Sequence, residues 1–363
     1  MNYLLMNQGT PILLFRSKRN AFEEVELQEI AWQSNLTPVG YADLETFLSR
    51  RKAPKQRKHM EALFEHYHCN DTEGFLCVTH ALSLNDTFWV KEEGSPLTWQ
   101  DVSLYRNEFD ELVSAAAFDG HFSSTSLSST SPEFGTDGFY AKCWVREDGD
   151  IYLYKTGSNT FEIEPLSEYL ASQLAQKMCT EAVSYDLAFY HDKLISKCKL
   201  FTSKAVGLVK AHDLLKRNQR SVGEMLRYFD SIGSGDAFRR MCVLDALILN
   251  TDRHLGNFGV LVDNDTMEVL GMAPVYDNNR SLLFDMDVEQ LTQRREWCIK
   301  KCLPRFGTGF IPTAKGMLTE ELRAELEQLQ GFEFQQHPHI TAEQQRLDAL
   351  SEIVNQQLKQ LSQ

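Results

Sequence analysis

The chain has 363 residues, a length that favours two or three structural units over a single compact core. Hydrophobic residues make up 42% of the chain and charged residues 24%, which excludes a disordered or fibrous protein. The formal net charge of -14 disfavours direct binding of nucleic acid, because an acidic surface repels phosphate backbones.

The sequence contains no run of about 18 apolar residues, so it predicts no membrane span and no membrane partner. The first residues have neither the basic start nor the unbroken apolar stretch of a signal peptide. The eight cysteines are scattered, which indicates a reduced, cytoplasmic protein. The basic run at residues 50–58 is interpreted as a solvated loop or helix face.

Residues 1–110 are predicted to form a mixed α/β accessory module. Residues 11–17 have the composition of a short apolar strand. Two further strands are predicted at residues 75–84 and 87–91, on either side of a hairpin-type turn at Asn85-Asp86. This region contains no catalytic motif.

Residues 111–205 are predicted to form a small β-rich lobe. The lobe includes a Ser/Thr-rich segment, residues 123–131, which cannot bury apolar surface and is expected to be a mobile loop. A hairpin of residues 139–145 and 151–155 turns at Asp148-Gly149. An amphipathic helix follows near Pro165, and residues 195–202 form another candidate strand.

Residues 206–363 are predicted to form a larger helical lobe. One hairpin, residues 258–262 and 267–275, interrupts the helices. The last helix has a capping box at Thr341 and Gln344. Its apolar stripe consists of Leu347, Leu350, Val354, Leu358 and Leu361. The predicted fold class is therefore α+β, a protein-kinase-like two-lobed fold with a cleft between the lobes and an N-terminal α/β extension.

Asp252 and Asn257 carry the spacing of a phosphoryl-transfer loop. They are five residues apart, as in the kinase catalytic loop Asp-x-x-x-x-Asn, and a predicted strand follows them. The return strand of that hairpin ends at Asp277. Carboxylate and amide oxygens at these positions match the ligands that magnesium prefers. The alternative is that all three are ordinary turn and cap residues.

Lys155 is the candidate lysine for nucleotide phosphates, because it ends a strand that precedes a helix bearing Glu168. Lys142 on the neighbouring strand is the competing assignment. A phosphate cradle is less clear, since Gly135-Thr136-Asp137-Gly138 is shorter than a kinase glycine-rich loop.

Over residues 120–315 the sequence resembles the HipA-like kinases of bacterial toxin–antitoxin systems. The segments that carry this resemblance are Ser131-Pro132-Glu133-Phe134, Lys142-Cys143-Trp144, Tyr154-Lys155, Ser167-Glu168-Tyr169, Asn250-Thr251-Asp252-Arg253-His254-Leu255-Gly256-Asn257-Phe258 and Pro274-Val275-Tyr276-Asp277. The resemblance implies the HipA C-terminal kinase domain, an ATP- and magnesium-dependent serine/threonine protein kinase.

The resemblance also implies residue roles. Asp252 would be the catalytic base, with His254 and Asn257 in the same loop, and Asn257 and Asp277 would bind magnesium. The ATP-binding residues would be Lys155, Glu168, Lys142 and Phe201, the last in the adenine-side linker. Family members autophosphorylate a serine in the loop before the hairpin, and the candidates here are Ser124, Ser126, Ser128, Ser129 and Ser131.

The implied partners are a protein substrate with a serine or threonine acceptor and a small DNA-binding, antitoxin-like protein. Two alternatives remain open. Asp252-Arg253-His254 is similar to the Asp-Arg-His of phosphoinositide kinases, so the acceptor could be a lipid or another small molecule. A pseudokinase that binds nucleotide without turnover is the second alternative.

Overall fold

The structure is a computed structural model that describes residues 1–22, 24–122, 130–158 and 162–363. The strands are β1 (Asn2–Asn7), β2 (Thr10–Arg19), β3 (Val25–Trp32), β4 (Phe88–Glu92), β5 (Lys142–Glu147), β6 (Asp150–Thr156), β7 (Tyr185–Tyr190), β8 (Lys193–Lys199), β9 (Val206–Lys210), β10 (Gly259–Asp263) and β11 (Val269–Met272).

The α-helices are α1 (Leu44–Ser49), α2 (Met60–His66), α3 (Thr72–Thr79), α4 (Trp99–Val102), α5 (Glu111–Asp119), α6 (Glu164–Met178), α7 (Ala211–Leu214), α8 (Val222–Ser231), α9 (Gly235–Ile248), α10 (Val288–Gln293), α11 (Arg295–Lys301), α12 (Phe310–Lys315), α13 (Glu320–Gln328) and α14 (Gln344–Ser362). A 3-10 helix spans Pro132–Gly135. The protein is therefore mixed α/β, as predicted.

The chain divides into two compact units, each built from separate stretches of sequence. The first unit comprises residues 1–155, 200–209 and 261–270, and the second comprises residues 156–199, 210–260 and 271–363. The division of the chain at residues 110 and 205 stays a prediction from composition.

The first unit contains an antiparallel sheet with the strand order β3-β2-β1-β4. Leu5 of β1 lies opposite Leu13 of β2 on one side and Val90 of β4 on the other. All three side chains are fully buried, in a core that the surrounding helices complete. The predicted strand at residues 11–17 is confirmed, because apolar residues line one face of β2.

The β5–β6 hairpin also belongs to the first unit, and it turns at Asp148-Gly149 as predicted. Both turn residues have a left-handed backbone, with φ of 50° and 87°. Asp and Gly adopt this conformation at low cost, which explains why the dipeptide is a reliable turn signal. The antiparallel register places Lys142 directly opposite Lys155.

In the second unit, α9 is buried along almost its whole length and packs against α12 and α14. The apolar stripe predicted for the last helix is confirmed, because its five residues are all buried in α14. The predicted helix at Pro165 is also confirmed as α6, with the proline in its first turn, where it costs no backbone hydrogen bond.

Several local predictions were wrong. Residues 75–84 do not form a strand, because Asp71 accepts a hydrogen bond from the Gly74 N–H and caps helix α3. The capping box at Thr341 and Gln344 is absent, since α14 begins only at Gln344. Residues 206–210 form β9 rather than helix.

The interpretation of the basic run 50–58 as a solvated surface was wrong for two of its arginines, although Arg50 and Lys55 are exposed. Arg51 is buried and forms a two-pronged ion pair with Asp86. Arg57 is fully buried and donates to the Thr136 carbonyl. These two arginines hold loops of the first unit together instead of presenting charge to solvent.

Within the described ranges, no helix is both long and apolar enough to cross a membrane. All eight cysteines lie in these ranges, and none of them is disulfide-bonded.

Candidate functional site

The end of α9 positions the segment that contains Asp252. Leu249 ends this helix in a left-handed conformation, φ 52°, which turns the chain sharply away from the helix axis. Asn250 is fully buried, and its Oδ1 accepts the Asp252 N–H at 2.9 Å. Its Nδ2 donates to Asp245 Oδ1 on the preceding turn of α9 at 3.1 Å. The Asp252 backbone is thus fixed to a buried helix.

Asp252 and Asn257 lie on the same short loop and contact each other. Asn257 Nδ2 donates to the Asp252 carbonyl at 2.9 Å, which leaves Oδ1 of this buried amide as the oxygen that would bind a metal ion. The Asp252 carboxylate is 16% exposed, and its Oδ1 accepts a hydrogen bond from Arg305. His254 is exposed, and its Nδ1 accepts the Gly256 N–H at 3.0 Å.

Arg253 connects this loop to the segment that carries Asp277. Its guanidinium is buried, and Nη1 donates to two carbonyl oxygens, that of Asn257 at 2.8 Å and that of Tyr276 at 2.6 Å. Nη2 also donates to Asn278 Oδ1. Arg253 therefore connects one predicted magnesium ligand, Asn257, to both neighbours of the other, Asp277.

The charge of Arg253 is matched by Asp245, whose two carboxylate oxygens accept from Nε and Nη2 at 3.0–3.2 Å. Burial is the largest influence on the pKa of Arg253 and lowers it, but the charge and hydrogen bonds of Asp245, together with the charges of Asp277 and Tyr276, raise this pKa overall, so the guanidinium stays charged. Burial raises the pKa of Asp245, and the guanidinium partly offsets that rise. A buried pair of this kind tolerates loss of neither partner alone.

Asp277 has a left-handed backbone, with φ of 56°. Aspartate is one of the few residues other than glycine that adopt this conformation readily, and it turns the chain here after the return strand of the hairpin. The Asp277 N–H donates to Tyr185 Oη on β7 at 3.0 Å. Burial raises the pKa of Tyr185 well above its ordinary value, so the phenol stays neutral and can accept this bond.

Glu168 lies in the same unit, fully buried on α6. Its Oε2 accepts a hydrogen bond from Ser196 Oγ on β8 at 2.6 Å. The carboxylate is thereby held in one orientation, although the hydroxyl alone does not neutralise its charge.

The predicted phosphate lysines belong to the first unit. Lys142 and Lys155 are both buried and face each other across the β5–β6 register. Residues directly opposite in an antiparallel pair project from the same face, so both lysine side chains leave the hairpin on one side. Lys142 Nζ donates to the Asp137 carbonyl at 2.7 Å. Phe201, also in this unit, is half-buried in the segment that leads into β9.

Of the candidate phosphosites, Ser131 is described and the other four are not, because Ser124, Ser126, Ser128 and Ser129 lie outside the described residues. Ser131 is buried, and its Oγ donates to Glu133 Oε2 at 3.0 Å. Glu133 Oε1 accepts from Ser114 Oγ and from the Trp144 N–H. Burial raises the pKa of Glu133.

Sequence reasoning missed the residues that position the loop, which are Asp245, Asn250, Arg253, Tyr185 and Arg305. Asn250 and Arg253 lie close to Asp252 in the sequence, and a single aspartate in the otherwise apolar stretch of residues 241–248 was a signal for Asp245. Tyr185 and Arg305 lie far from Asp252 in the sequence, so no local pattern points to them.

The donor set at Asn257 and Asp277 fits magnesium, which takes hard oxygen ligands and commonly only one or two carboxylates from protein. Among the described residues, no group of three or more His, Cys, Asp and Glu side chains forms a metal cluster. A magnesium ion held here would therefore complete its coordination with nucleotide phosphates and water.

Comparison with known proteins gave structural matches only. The sequence matches no protein-family model and no curated protein. HipA of Shewanella oneidensis, solved in a toxin–antitoxin complex with HipB and operator DNA, is similar with a TM-score of 0.52 and 10% identity, over 99% of this chain and 96% of HipA. The proinflammatory kinase CtkA of Helicobacter pylori is similar with a TM-score of 0.46 and 15% identity, over 61% of this chain and 90% of CtkA.

The structural match to HipA covers 99% of this chain and therefore includes the N-terminal region. At 10% identity, this structural match is evidence for the fold alone. The chain therefore has the HipA-like kinase fold.

Proposed function

We propose that this chain is an ATP- and magnesium-dependent phosphotransferase, a serine/threonine kinase that acts in the cytoplasm. The observation that carries the proposal is the Arg253 guanidinium, which donates to the Asn257 and Tyr276 carbonyls. Ordinary turns do not require a buried arginine that is paired with an aspartate and that also connects two loop segments. Arg253 does this for the segments that carry Asn257 and Asp277. Such a support is expected where two metal-binding groups must keep a fixed separation.

In the proposed reaction, the Asp252 carboxylate accepts a hydrogen bond from the acceptor hydroxyl and orients its oxygen toward the γ-phosphorus of ATP. A bond forms between that oxygen and phosphorus while the bond from phosphorus to the β,γ-bridging oxygen breaks. The acceptor proton moves to the Asp252 carboxylate, and ADP carries away the bond electrons. Asp252 suits this role because its backbone is fixed while its carboxylate reaches the surface.

Asn257 and Asp277 would hold magnesium, which when bound offsets the negative charge of the phosphates. Lys142 and Lys155 would supply positive charge for nucleotide phosphates, since both side chains are buried on one face of the β5–β6 hairpin. Glu168, which accepts a hydrogen bond from Ser196, is the carboxylate that the family resemblance assigns to ATP binding.

Self-modification is part of the proposal, with Ser124, Ser126, Ser128, Ser129 and Ser131 as candidate acceptors. A phosphate on Ser131 would stand next to the buried Glu133 carboxylate, and two negative charges at that distance repel. Modification of Ser131 would therefore displace the 3-10 helix that follows it. HipA was solved with HipB and operator DNA, which supports a DNA-binding partner for this chain as well.

The test is incubation of the purified protein with γ-labelled ATP and magnesium, followed by mass spectrometry to place the phosphate. Asp252→Asn and Asp277→Asn should lose at least about a hundredfold in transfer rate, since each removes a group required in the transition state. Asp285→Asn is the matched control, because this exposed aspartate lies eight positions beyond Asp277 in the same unit.

Each outcome separates one alternative. Label on serines of wild type alone supports the kinase, and replacement of all five candidate serines by alanine should then abolish self-modification. Nucleotide binding without any transfer, even to water, would favour the pseudokinase. Label on added inositol lipid instead of protein would favour the lipid kinase. Equal activity of wild type and Asp252→Asn would refute the proposal.

A further inference from the structure

Arg305 pairs with the proposed catalytic base, although it lies 53 positions away from Asp252. Its Nη2 donates to Asp252 Oδ1 at 2.9 Å, and its Nε approaches the same oxygen at 3.3 Å. Both contacts go to one oxygen, so the pair fixes the carboxylate plane and leaves Oδ2 for another hydrogen bond.

The segment that carries Arg305 is itself held against the catalytic loop. The Phe306 ring packs against Phe258, with centroids 6.1 Å apart, and Phe258 directly follows Asn257 in the chain. Gly307 then turns with φ of 83°, and a Cβ at this position would lie 2.1 Å from Thr313 Oγ1. Arg305 therefore reaches Asp252 from an anchored loop rather than from a freely moving chain.

The pair contributes little to stability. The Arg305 side chain is 54% exposed, and exposed ion pairs add little to stability because water and salt screen the two charges. The ion pair instead orients the Asp252 carboxylate. A catalytic carboxylate must lie at hydrogen-bond distance from the acceptor hydroxyl, and the reaction slows when the carboxylate rotates away from that position. The catalytic loop offers no cation of its own for this purpose, since Arg253 is used in the buried pair and His254 accepts the Gly256 N–H.

We propose that Arg305 is a positioning residue for phosphoryl transfer: it holds Asp252 through Oδ1, so that Oδ2 receives the acceptor hydroxyl and then its proton. This inference rests on the proposed kinase function. The phosphoryl group, the leaving ADP and the acceptor proton follow the course given above, and Arg305 exchanges no proton.

The experiment measures ATP hydrolysis and self-phosphorylation of the full chain at varied ATP concentration. Arg305→Gln should lower kcat by about tenfold to a hundredfold, the usual loss when a supporting partner is removed, with little change in the KM for ATP. Arg305→Lys should recover part of the rate. Arg305→Ala should be rescued by added guanidinium ion below denaturing concentrations, because the small cation can occupy the vacated position.

Combining the Arg305 substitution with Asp252→Asn tests whether Arg305 acts through Asp252. In Asp252→Asn, the further change Arg305→Gln should cause no additional loss, because residues that act as one unit are not additive. Arg323→Gln on α13 is the matched control for removing an exposed guanidinium, and it should retain the wild-type rate.

Several results would overturn the inference. Wild-type kcat in Arg305→Gln, beside inactive Asp252→Asn, would remove the role of Arg305 and leave the kinase proposal intact. An effect on KM alone, or equal losses in both backgrounds, would assign Arg305 to ligand binding instead of positioning. Full activity in Asp252→Asn would refute the kinase assignment and the inference together.

Discussion

Tyr185 Oη accepts the backbone N–H of Asp277 at 3.0 Å, and this bond holds a proposed magnesium ligand in a left-handed conformation. The tyrosine lies on β7, ninety-two positions before Asp277, so a strand that is distant in the sequence supports the backbone of the segment that carries Asp277. The parallel bridge between Ala182 and Val275 reinforces the same connection two residues earlier.

Tyr185→Phe should therefore weaken both stability and phosphoryl transfer. The change leaves a buried N–H without its acceptor, which costs about 1–3 kcal/mol in free energy of unfolding. Because Asp277 also loses its support, we expect the magnesium concentration that gives half-maximal transfer to rise. Urea denaturation and a magnesium titration of activity measure the two effects. Tyr228→Phe, a half-buried tyrosine on α8, should change neither, and an unaltered magnesium dependence in Tyr185→Phe would contradict the role assigned to the bond.

We expect Arg253 to support stability through its ion pair with Asp245 and activity through its hydrogen bonds to the Asn257 and Tyr276 carbonyls. Arg253→Gln leaves the Asp245 carboxylate buried without its charge partner, which we expect to cost about 3–5 kcal/mol in free energy of unfolding. The double change Arg253→Met with Asp245→Leu removes both charges and should recover much of that stability. It should not recover phosphoryl transfer, because no side chain then donates to the Asn257 and Tyr276 carbonyls.

Urea denaturation and the transfer assay, run on the same three proteins, separate these contributions. A double variant that regains activity together with stability would show that the ion pair serves the fold alone.

Glu133 should make the stability of the protein depend on pH. Burial raises its pKa above the unfolded value of 4.5, so between these two pKa values the folded state binds more protons than the unfolded state. The stabilising contribution of the protonated carboxyl is complete below pH 4.5 and is lost as pH rises through the folded pKa. Glu133→Gln should therefore flatten the loss of melting temperature with rising pH.

Glutamine can keep the contacts of Glu133, since its Oε1 can accept from Ser114 and Trp144 while its amide donates to Ser131. Melting temperatures measured from pH 4 to 8 test the prediction. Glu111→Gln, an exposed residue on α5, is the control and should follow the wild-type curve. A Glu133→Gln curve parallel to the wild type would show that this carboxyl does not titrate differently on folding.

The two facing lysines should not be equivalent toward nucleotide. Lys155→Met removes the charge assigned to the ATP phosphates and should weaken ATP binding by roughly tenfold or more, the effect of one charge-assisted hydrogen bond. Lys142 Nζ already donates to the Asp137 carbonyl, so Lys142→Met should have a smaller effect on the affinity. Calorimetric titration with ATP and magnesium measures both variants, with the exposed Lys18→Met on β2 as control. The reverse order would assign the phosphate contact to Lys142.

Local patterns were enough to predict the parts of the site that lie on one stretch of chain. The spacing of Asp252 and Asn257 and the hairpin that ends before Asp277 were visible in the sequence, and the β5–β6 turn was predicted from Asp148-Gly149. Prediction failed where a short apolar stretch fits two structures. Residues 75–84 were predicted as a strand, but the Asp71 cap and burial of one helical face favour α3.

The sequence was also insufficient to predict which charged side chains are buried. The run at residues 50–58 resembles a surface patch, because charged residues are ordinarily exposed. Arg51 and Arg57 are buried instead, since carbonyl groups and Asp86 from distant segments surround their guanidinium groups. The residues next to Arg51 and Arg57 in the sequence give no indication of these distant partners.

The sequence by itself determined which residues are the candidate oxygen donors for phosphoryl transfer, because a loop followed by a hairpin fixes their order and spacing within one stretch of chain. Only the tertiary structure decided what holds those donors in place. Asp245 and Arg253, Tyr185 and Asp277, and Arg305 and Asp252 are brought together by packing of separate helices and strands. Hydrogen bonds depend on the distance between atoms in the folded protein, so contacts across many positions leave no periodic trace in the sequence.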